Sequence, residues 1–464
     1  MLKIIKSLLE KHFKKPTDPV KMLPKNVIEK VFSYLNKDDL LTSSLVNKSW
    51  LKFIGKSENC MKKLKFVICE PLHGMLWKFT AADAANILTN ERKYKHIALF
   101  ITRSMTKDHL LIVASFEWKT VNLCHHTFRS EIELLNFFGL IEPFVEELEL
   151  THIKTAFTKR KQIGSVNFIF PKLKKLKVSF CCTFIFSEML KNVLMLHFLE
   201  IETEPLACDD SEDIIQRIKG IEVILLNNVK IKSLVLHLHQ SDFDGMFMNQ
   251  RFLQRIRFQL ESLTVKKFKR LEGMHTNIVQ TANFGEFLKS QNKTLTKLSV
   301  LDCLGVYVLE IIINELEKLK SIELGDLKGY EKLEDSVANI SFFKNESVEN
   351  LTLKSSYSEY CDLQNVLLTT VPNLKTLYIG TVNQKMLETL IDKVPKLLKL
   401  ELDFFTAYSP PERAVLCDLK EMTIKIDYAS NFKDQLRGFT NYTRFEMEFL
   451  KAVRVLHENS ENLR

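Results

Sequence analysis

The chain has 464 residues, too many for one compact core, so its length calls for several domains or an extended repeat array. Hydrophobic residues at 45% and charged residues at 27% exclude wholesale disorder, and only 13 Gly and 11 Pro argue against a sandwich or barrel stitched by many tight turns. The formal charge of +9 comes from 66 basic against 57 acidic residues, with dense runs at Lys11–Lys15, Lys172–Lys177 and Lys266–Arg270 that lie far apart rather than on one nucleic-acid-binding face.

Residues 1–20 form a basic amphipathic segment with Ile4, Ile5, Leu8 and Leu9 on one helical face. Lys interrupts the apolar stretch too often for a signal peptide, and the absence of Arg argues against a mitochondrial presequence. No run of about 18 apolar residues occurs, so no membrane span is expected. Nine cysteines, an odd number without any CxxC pair, do not form a disulfide framework. A reducing compartment, cytoplasm or nucleus, is the expected location, and the Asn292–Thr294 and Asn345–Ser347 triplets are chance matches to a glycosylation site.

Residues 21–65 read as a helical module. Pro24 suits a first helical turn with Leu23 just outside it, and Val27, Ile28, Val31, Phe32 and Leu35 follow at helical spacing. Asn36 ends that helix, Asp38 caps the next around Leu40, Leu45 and Val46 close it, and Ser49-Trp50-Leu51 opens a third. So small a unit cannot bury all these groups alone, and it shows no metal-ligand spacing, so its apolar excess predicts a partner surface. In order and spacing, Leu23 to Trp50 resembles an F-box. The resemblance implies docking to the Skp adaptor of a cullin–RING ubiquitin ligase through Leu23, Pro24, Val27, Ile28, Val31, Phe32, Leu35, Leu40, Leu45, Val46 and Trp50. Asn26 departs from the pattern, since many F-boxes carry Glu there, and slightly altered docking is expected. A helical cap for whatever follows is the plainer alternative.

Residues 66–440 carry a recurring LxxLxL pattern. Clear copies start at Leu173, Leu260, Leu295, Leu319, Leu374, Leu397 and Leu419; looser ones start at Val145, Leu196, Ile231 and Val348, and weak ones at Tyr94 and Trp118. Cys181, Cys303 and Cys69 stand eight residues after a first position, in the Asn/Cys slot that turns the backbone, which makes them structural. Phe170-Pro171, Val371-Pro372 and Val394-Pro395 precede the strands, the last after Met386, Leu387, Leu390 and Ile391 at helical spacing. The unit is strand, turn, helix, turn, and units must stack to bury their leucines. The expected fold is α/β: a three-helix module, then a curved solenoid with a parallel concave sheet and convex helices. The array resembles the leucine-rich repeats often found behind an F-box. Residues 441–464 lose the pattern; Phe445, Phe449, Val453 and Leu456 suggest a C-terminal cap, with a frayed tail as the alternative.

Between the leucines of each strand, alternate side chains face the open surface. Lys175, Lys177, Thr264, Lys266, Lys297, Ser299, Glu323, Thr352, Lys354, Thr376, Tyr378, Lys399, Glu401, Glu421, Thr423 and Lys425 are the candidate substrate contacts. Lys is the commonest charge among them, which suits a partner with acidic or phosphorylated features.

No catalytic motif is found, no cofactor is implied, and the chain is expected to be non-enzymatic. Cys124, His125 and His126 alternate sides of a strand and need an irregular turn to converge. His237 and His239 share a face without a third metal ligand at useful spacing, and Glu146, Glu147 and Glu149 are solvated repeat surface. The leading expectation is a substrate receptor of an SCF-type ligase, the alternative a repeat scaffold without a ligase role. A basic nucleic-acid or membrane-surface binder ranks last.

Overall fold

A computed structural model describes residues 18–69, 80–89, 92–102, 104–157, 168–203, 211–268, 282–301, 306–325, 342–354, 361–382, 389–390, 392–405 and 421–424. The N-terminal segment 1–17, Cys303, Met386, Leu387, Ile391, Lys425 and the stretch 441–464 lie outside them. The chain divides into two units, Met1–Leu196 and His197–Arg464.

The first unit begins with five short helices, α1 (Pro19–Met22), α2 (Lys25–Ser33), α3 (Lys37–Ser44), α4 (Lys48–Lys56) and α5 (Glu58–Met61). Side-chain caps set the boundaries: Asn36 accepts from Asp39 N, Asn47 from Trp50 N and Ser57 from Cys60 N. The cap of α3 is therefore Asn36, not Asp38, whose position inside the first turn places its charge near the helix dipole instead. Pro24 is likewise the residue before α2 rather than its first helical one. Ile28, Phe32, Leu35, Leu40, Trp50, Ile54 and Leu64 make the core of this bundle. Trp50 meets Phe32 edge-on at 5.3 Å, and its indole N–H donates to Asp18 Oδ1 at 2.8 Å, so the large ring is buried with its polar atom satisfied.

The sheet of this unit follows. β1 (Phe66–Cys69), β2 (His96–Phe100), β3 (Thr120–Cys124), β5 (Glu147–Thr151) and β7 (Lys175–Ser179) lie side by side in parallel. A small second sheet pairs β4 (Thr127–Phe128) with β6 (Lys154–Thr155). Helices α6 (Ala81–Leu88), α7 (Lys107–Ala114) and α8 (Glu131–Ile141) alternate with the strands, and a single π-helical turn, Ile185–Met189, follows β7.

The second unit repeats the plan with β8 (Phe198–Glu202), β9 (Ser233–His239), β10 (Ser262–Phe268), β11 (Lys297–Val300), β12 (Ser321–Leu324), β13 (Asn350–Leu353), β14 (Thr376–Val382), β15 (Lys399–Phe405) and β16 (Glu421–Ile424), all parallel and in chain order. Between them run α9 (Ser211–Asn227), α10 (Gln240–Met248), α11 (Gln250–Leu253), α12 (Ala282–Ser290), α13 (Val306–Asn314) and α14 (Cys361–Thr370). In both units each LxxLxL copy ends in a strand, and the first-position residues Leu173, Leu260, Leu295, Leu319, Leu374 and Leu397 are fully buried. Burying one such side chain is worth about 2 kcal/mol, and a repeat obtains it only with a neighbour stacked against it.

Two recurring turns connect the layers. Before the strands, the carbonyls of Phe170, Val371 and Val394 accept the N–H of Leu173, Leu374 and Leu397, closing the turn that each proline starts. At most strand entrances one carbonyl accepts two N–H groups of the next repeat: Glu146 O takes Lys174 N and Lys175 N at 2.8 and 3.1 Å, and Lys320 O takes Glu349 N and Asn350 N at 2.9 and 3.0 Å.

After β3, β5 and β7 the chain turns through a left-handed residue in each case, His125, His152 and Phe180, at φ 55°, 53° and 55°. Their rings stack in a column, His125 on His152 at 4.6 Å and His152 on Phe180 at 4.8 Å. A non-glycine residue in this region is strained, and ring stacking offsets part of that cost.

Candidate partner-binding surfaces

The bundle has apolar groups on two faces of α2. Ile28, Phe32 and Leu35 point into the core, whereas Leu23, Val27 and Tyr34 are exposed on the other side, with Val31 half-buried between them. At the corner between α3 and α4, Leu45 is 83% exposed and Val46 58%. Of the eleven residues expected at the adaptor interface, Leu23, Pro24, Val27, Leu45 and Val46 are therefore on the surface. Ile28, Phe32, Leu35, Leu40 and Trp50 support the bundle from within. The period alone does not separate these sets, because both stripes recur at helical spacing. Met22 and Tyr34, at 47% and 64% exposure, belong with the surface group and were missed. Tyr34 follows Val27 and Val31 at i+7 and i+3, the signal that could have found it.

The open face of the sheet is built in rows. In the second unit Thr264, Ser299, Glu323, Thr352, Tyr378, Glu401 and Thr423 are register neighbours across successive strands. In the first unit Asn122, Glu149 and Lys177 form such a row, as do Thr120, Glu147 and Lys175.

Three of the lysines expected on this surface are paired with carboxylates of the protein itself. Lys175 pairs with Glu147 at 2.7 Å, Lys399 with Glu401 at 2.9 Å, and Lys354 with Glu323, which also accepts from Ser299 Oγ at 2.6 Å. Burial alone would raise the Glu323 carboxyl; Lys354 and Ser299 outweigh it and hold it below its ordinary value. Lys177, Lys266 and Lys297 lie on the same side of the sheet, and Lys266 sits in register with His237. One strand entrance earlier runs a further ladder, Lys119–Glu146–Lys174 at 3.3 and 3.1 Å, Lys232–Glu261 at 2.6 Å and Lys375–Glu349 at 3.0 Å. Glu146 is thus a rung of this ladder, not a merely solvated carboxylate. The face therefore offers hydroxyls and, at these positions, charges that already have partners within the protein.

The cysteines divide. Cys181 is buried, its Sγ 3.5 Å from Leu150 O and 3.4 Å from Ser179 O, as its slot requires. Cys69 is exposed inside β1, because Phe66 registers with Ile97 and shifts that repeat off the spacing that put Cys69 in the slot. Cys124, His125 and His126 do meet an irregular turn, but it separates them. Cys124 Sγ donates to Asn122 Oδ1 at 2.8 Å, and burial followed by Glu149 pushes its thiol pKa up. His126 is buried with Nδ1 donating to Ile101 O at 3.0 Å, while His125 is exposed in the ring column. His237 and His239 share a face with Glu202 beside His237 on one side and Lys266 on the other, a cation that opposes a metal there. Among the described residues no group of three or more His, Cys, Asp or Glu could hold a metal ion, and no helix is long and apolar enough to cross a membrane.

One polar group lies deep in the second unit. Arg217 on α9 and Asp242 on α10 pair at 2.7 Å, both fully buried, and Thr203 Oγ1 donates to Asp242 Oδ2 at 2.8 Å while accepting His239 N at 2.8 Å.

Residues 21–62 match the family model of the F-box domain. This module is an F-box. Behind the F-box stands a leucine-rich-repeat array, an assignment that rests on the parallel strands and their buried first positions. No curated protein matches the sequence. A solved structure, a crystal structure of a TLR13–ssRNA13 complex, aligns at 13% identity and a TM-score of 0.34 over 75% of this chain, which spans 56% of that one.

Proposed function

We propose that this chain is a substrate-recognition subunit of an SCF-type ubiquitin ligase, acting in the cytoplasm or nucleus without catalysis of its own. The F-box would bind the Skp adaptor, and the repeat face would bind the protein to be modified. The observation that carries this reading is the uncovered apolar group on a module of F-box type: Leu23, Val27, Tyr34, Leu45 and Val46 remain exposed after the bundle has formed its own core. Exposed apolar groups clustered on so small a module support a partner site there. The same bundle also packs on the first repeats through Tyr94, as a cap would, but capping leaves that group bare.

Binding of the full chain to purified Skp adaptor tests the proposal. Nanomolar to low-micromolar binding is expected, with loss on combined Leu23→Ala and Leu45→Ala. No binding by the wild type, or unchanged binding by the variant, would leave the scaffold reading in its place.

A further inference from the structure

Three consecutive residues just before β2 reach back to the F-box. Arg92 Nη2 donates to Ser44 Oγ at 2.7 Å, and Arg92 Nη1 donates to Tyr94 Oη at 3.2 Å. Lys93 N donates to Gly55 O at 3.4 Å, and the Tyr94 ring packs against the bundle core and lies 5.1 Å from Phe66. Of these contacts, that of Arg92 reaches the end of α3 and that of Lys93 the end of α4. Ser44 is the last residue of α3, and Leu45 and Val46, 83% and 58% exposed, follow it directly. On the other side of that corner, Asn47 caps α4 through Trp50 N at 3.0 Å. Leu23 and Val27 stand before and in the first turn of α2, far in sequence from that corner.

We propose that Arg92 is a positioning residue for adaptor binding: from the first repeats it fixes the Leu45–Val46 corner in its binding shape, without touching the adaptor. The inference rests on the adaptor-binding reading above. An exposed two-residue corner loses conformational freedom when a partner closes over it, and a corner already held loses less. Ser44 Oγ also donates to Leu41 O at 2.6 Å, so Arg92 acts on a hydroxyl that is itself tied to the end of α3. A guanidinium suits the task because it spans Ser44 and Tyr94 with separate nitrogens, which a lysine ammonium does less well.

Calorimetric titration of the full chain with purified Skp adaptor tests this. Arg92→Ala should weaken binding about tenfold, the scale of one hydrogen bond from a charged donor, and Arg92→Lys should fall between. The deciding comparison is a pair of cycles. With Leu45→Ala already present, Arg92→Ala should add little; with Leu23→Ala present, it should keep its full effect. Ser44→Ala removes the same bond from the other side and should not add to Arg92→Ala, and it carries the test if the Arg92 variant fails to fold. Unchanged affinity, or equal losses in both backgrounds, would overturn the positioning role. Wild-type protein that does not bind the adaptor would overturn the adaptor reading and this inference with it.

Discussion

The F-box and the repeat sheet handle their side chains in opposite ways. The bundle completes a core with Ile28, Phe32, Leu40 and Trp50 and still shows Leu23, Val27, Leu45 and Val46 to solvent. The sheet buries its leucines in the stack and joins several of its charged groups to each other, as Lys175 to Glu147 and Lys399 to Glu401. Apolar surface left bare favours one durable partner, since its burial is favourable and insensitive to salt. A compensated polar face attracts little by itself. A partner gains there only by replacing internal ion pairs with equally good ones, which favours discrimination over affinity.

This contrast can be broken first where the repeats contain a polar group instead of leucine. Asp242→Ala leaves the Arg217 guanidinium buried without its carboxylate and should cost about 3–5 kcal/mol in chemical denaturation, while the Arg217→Met/Asp242→Leu pair recovers most of it. If the single change is silent, the pair does not hold α9 to α10. Next comes the division inside the F-box. Leu40→Ala should cost about 2–5 kcal/mol of stability and reduce adaptor binding with it. Leu45→Asp should reduce affinity by about two orders of magnitude with stability unchanged within about 0.5 kcal/mol. Equal behaviour of the two would remove the distinction between core and surface residues.

Titration gives a smaller effect. His109 is fully buried, and burial holds its pKa below the ordinary histidine value. The unfolded chain therefore takes up its proton first, so this contribution is present above about pH 6.5 and is lost as pH falls from there through the folded value. Thermal scans between pH 7.5 and 5.5 should show a decline that His109→Gln flattens. The smallest effect is expected at the ion pairs of the open face. Lys175→Ala should cost under about 1 kcal/mol, and the difference from wild type should shrink in high salt.

Much of this architecture was legible because it depends on period. The LxxLxL copies, even the weak ones at Tyr94 and Trp118, each coincide with a strand, since a buried parallel sheet demands apolar residues at those positions. The proline turns were readable for a similar reason: the proline ring fixes its own backbone at an angle that suits a turn. Pairing across repeats was not readable. Glu147 and Lys175 are 28 residues apart, and only the register brings them together. Ser44 and Arg92 are separated by 48 residues, and no local pattern marks either. In the F-box, helical spacing identified the apolar residues but not their direction, because Ile28 and Val27 belong to opposite stripes of the same helix. Cys69 was misplaced by a shift of β1 that the register with β2 alone reveals.

The ring column at the strand exits bears on how such a protein could be shortened or spliced. His125, His152 and Phe180 each occupy a backbone region that favours glycine, and each is supported by the ring of an adjacent repeat. Excising the repeat that carries His152 would bring the neighbouring corners together only if the seam restored face-to-face contact between the remaining rings. A donor repeat with a small residue at that place would break the column in two. Exchange of any one of these three repeats therefore has to preserve its ring, whereas a glycine or asparagine corner would carry no such requirement.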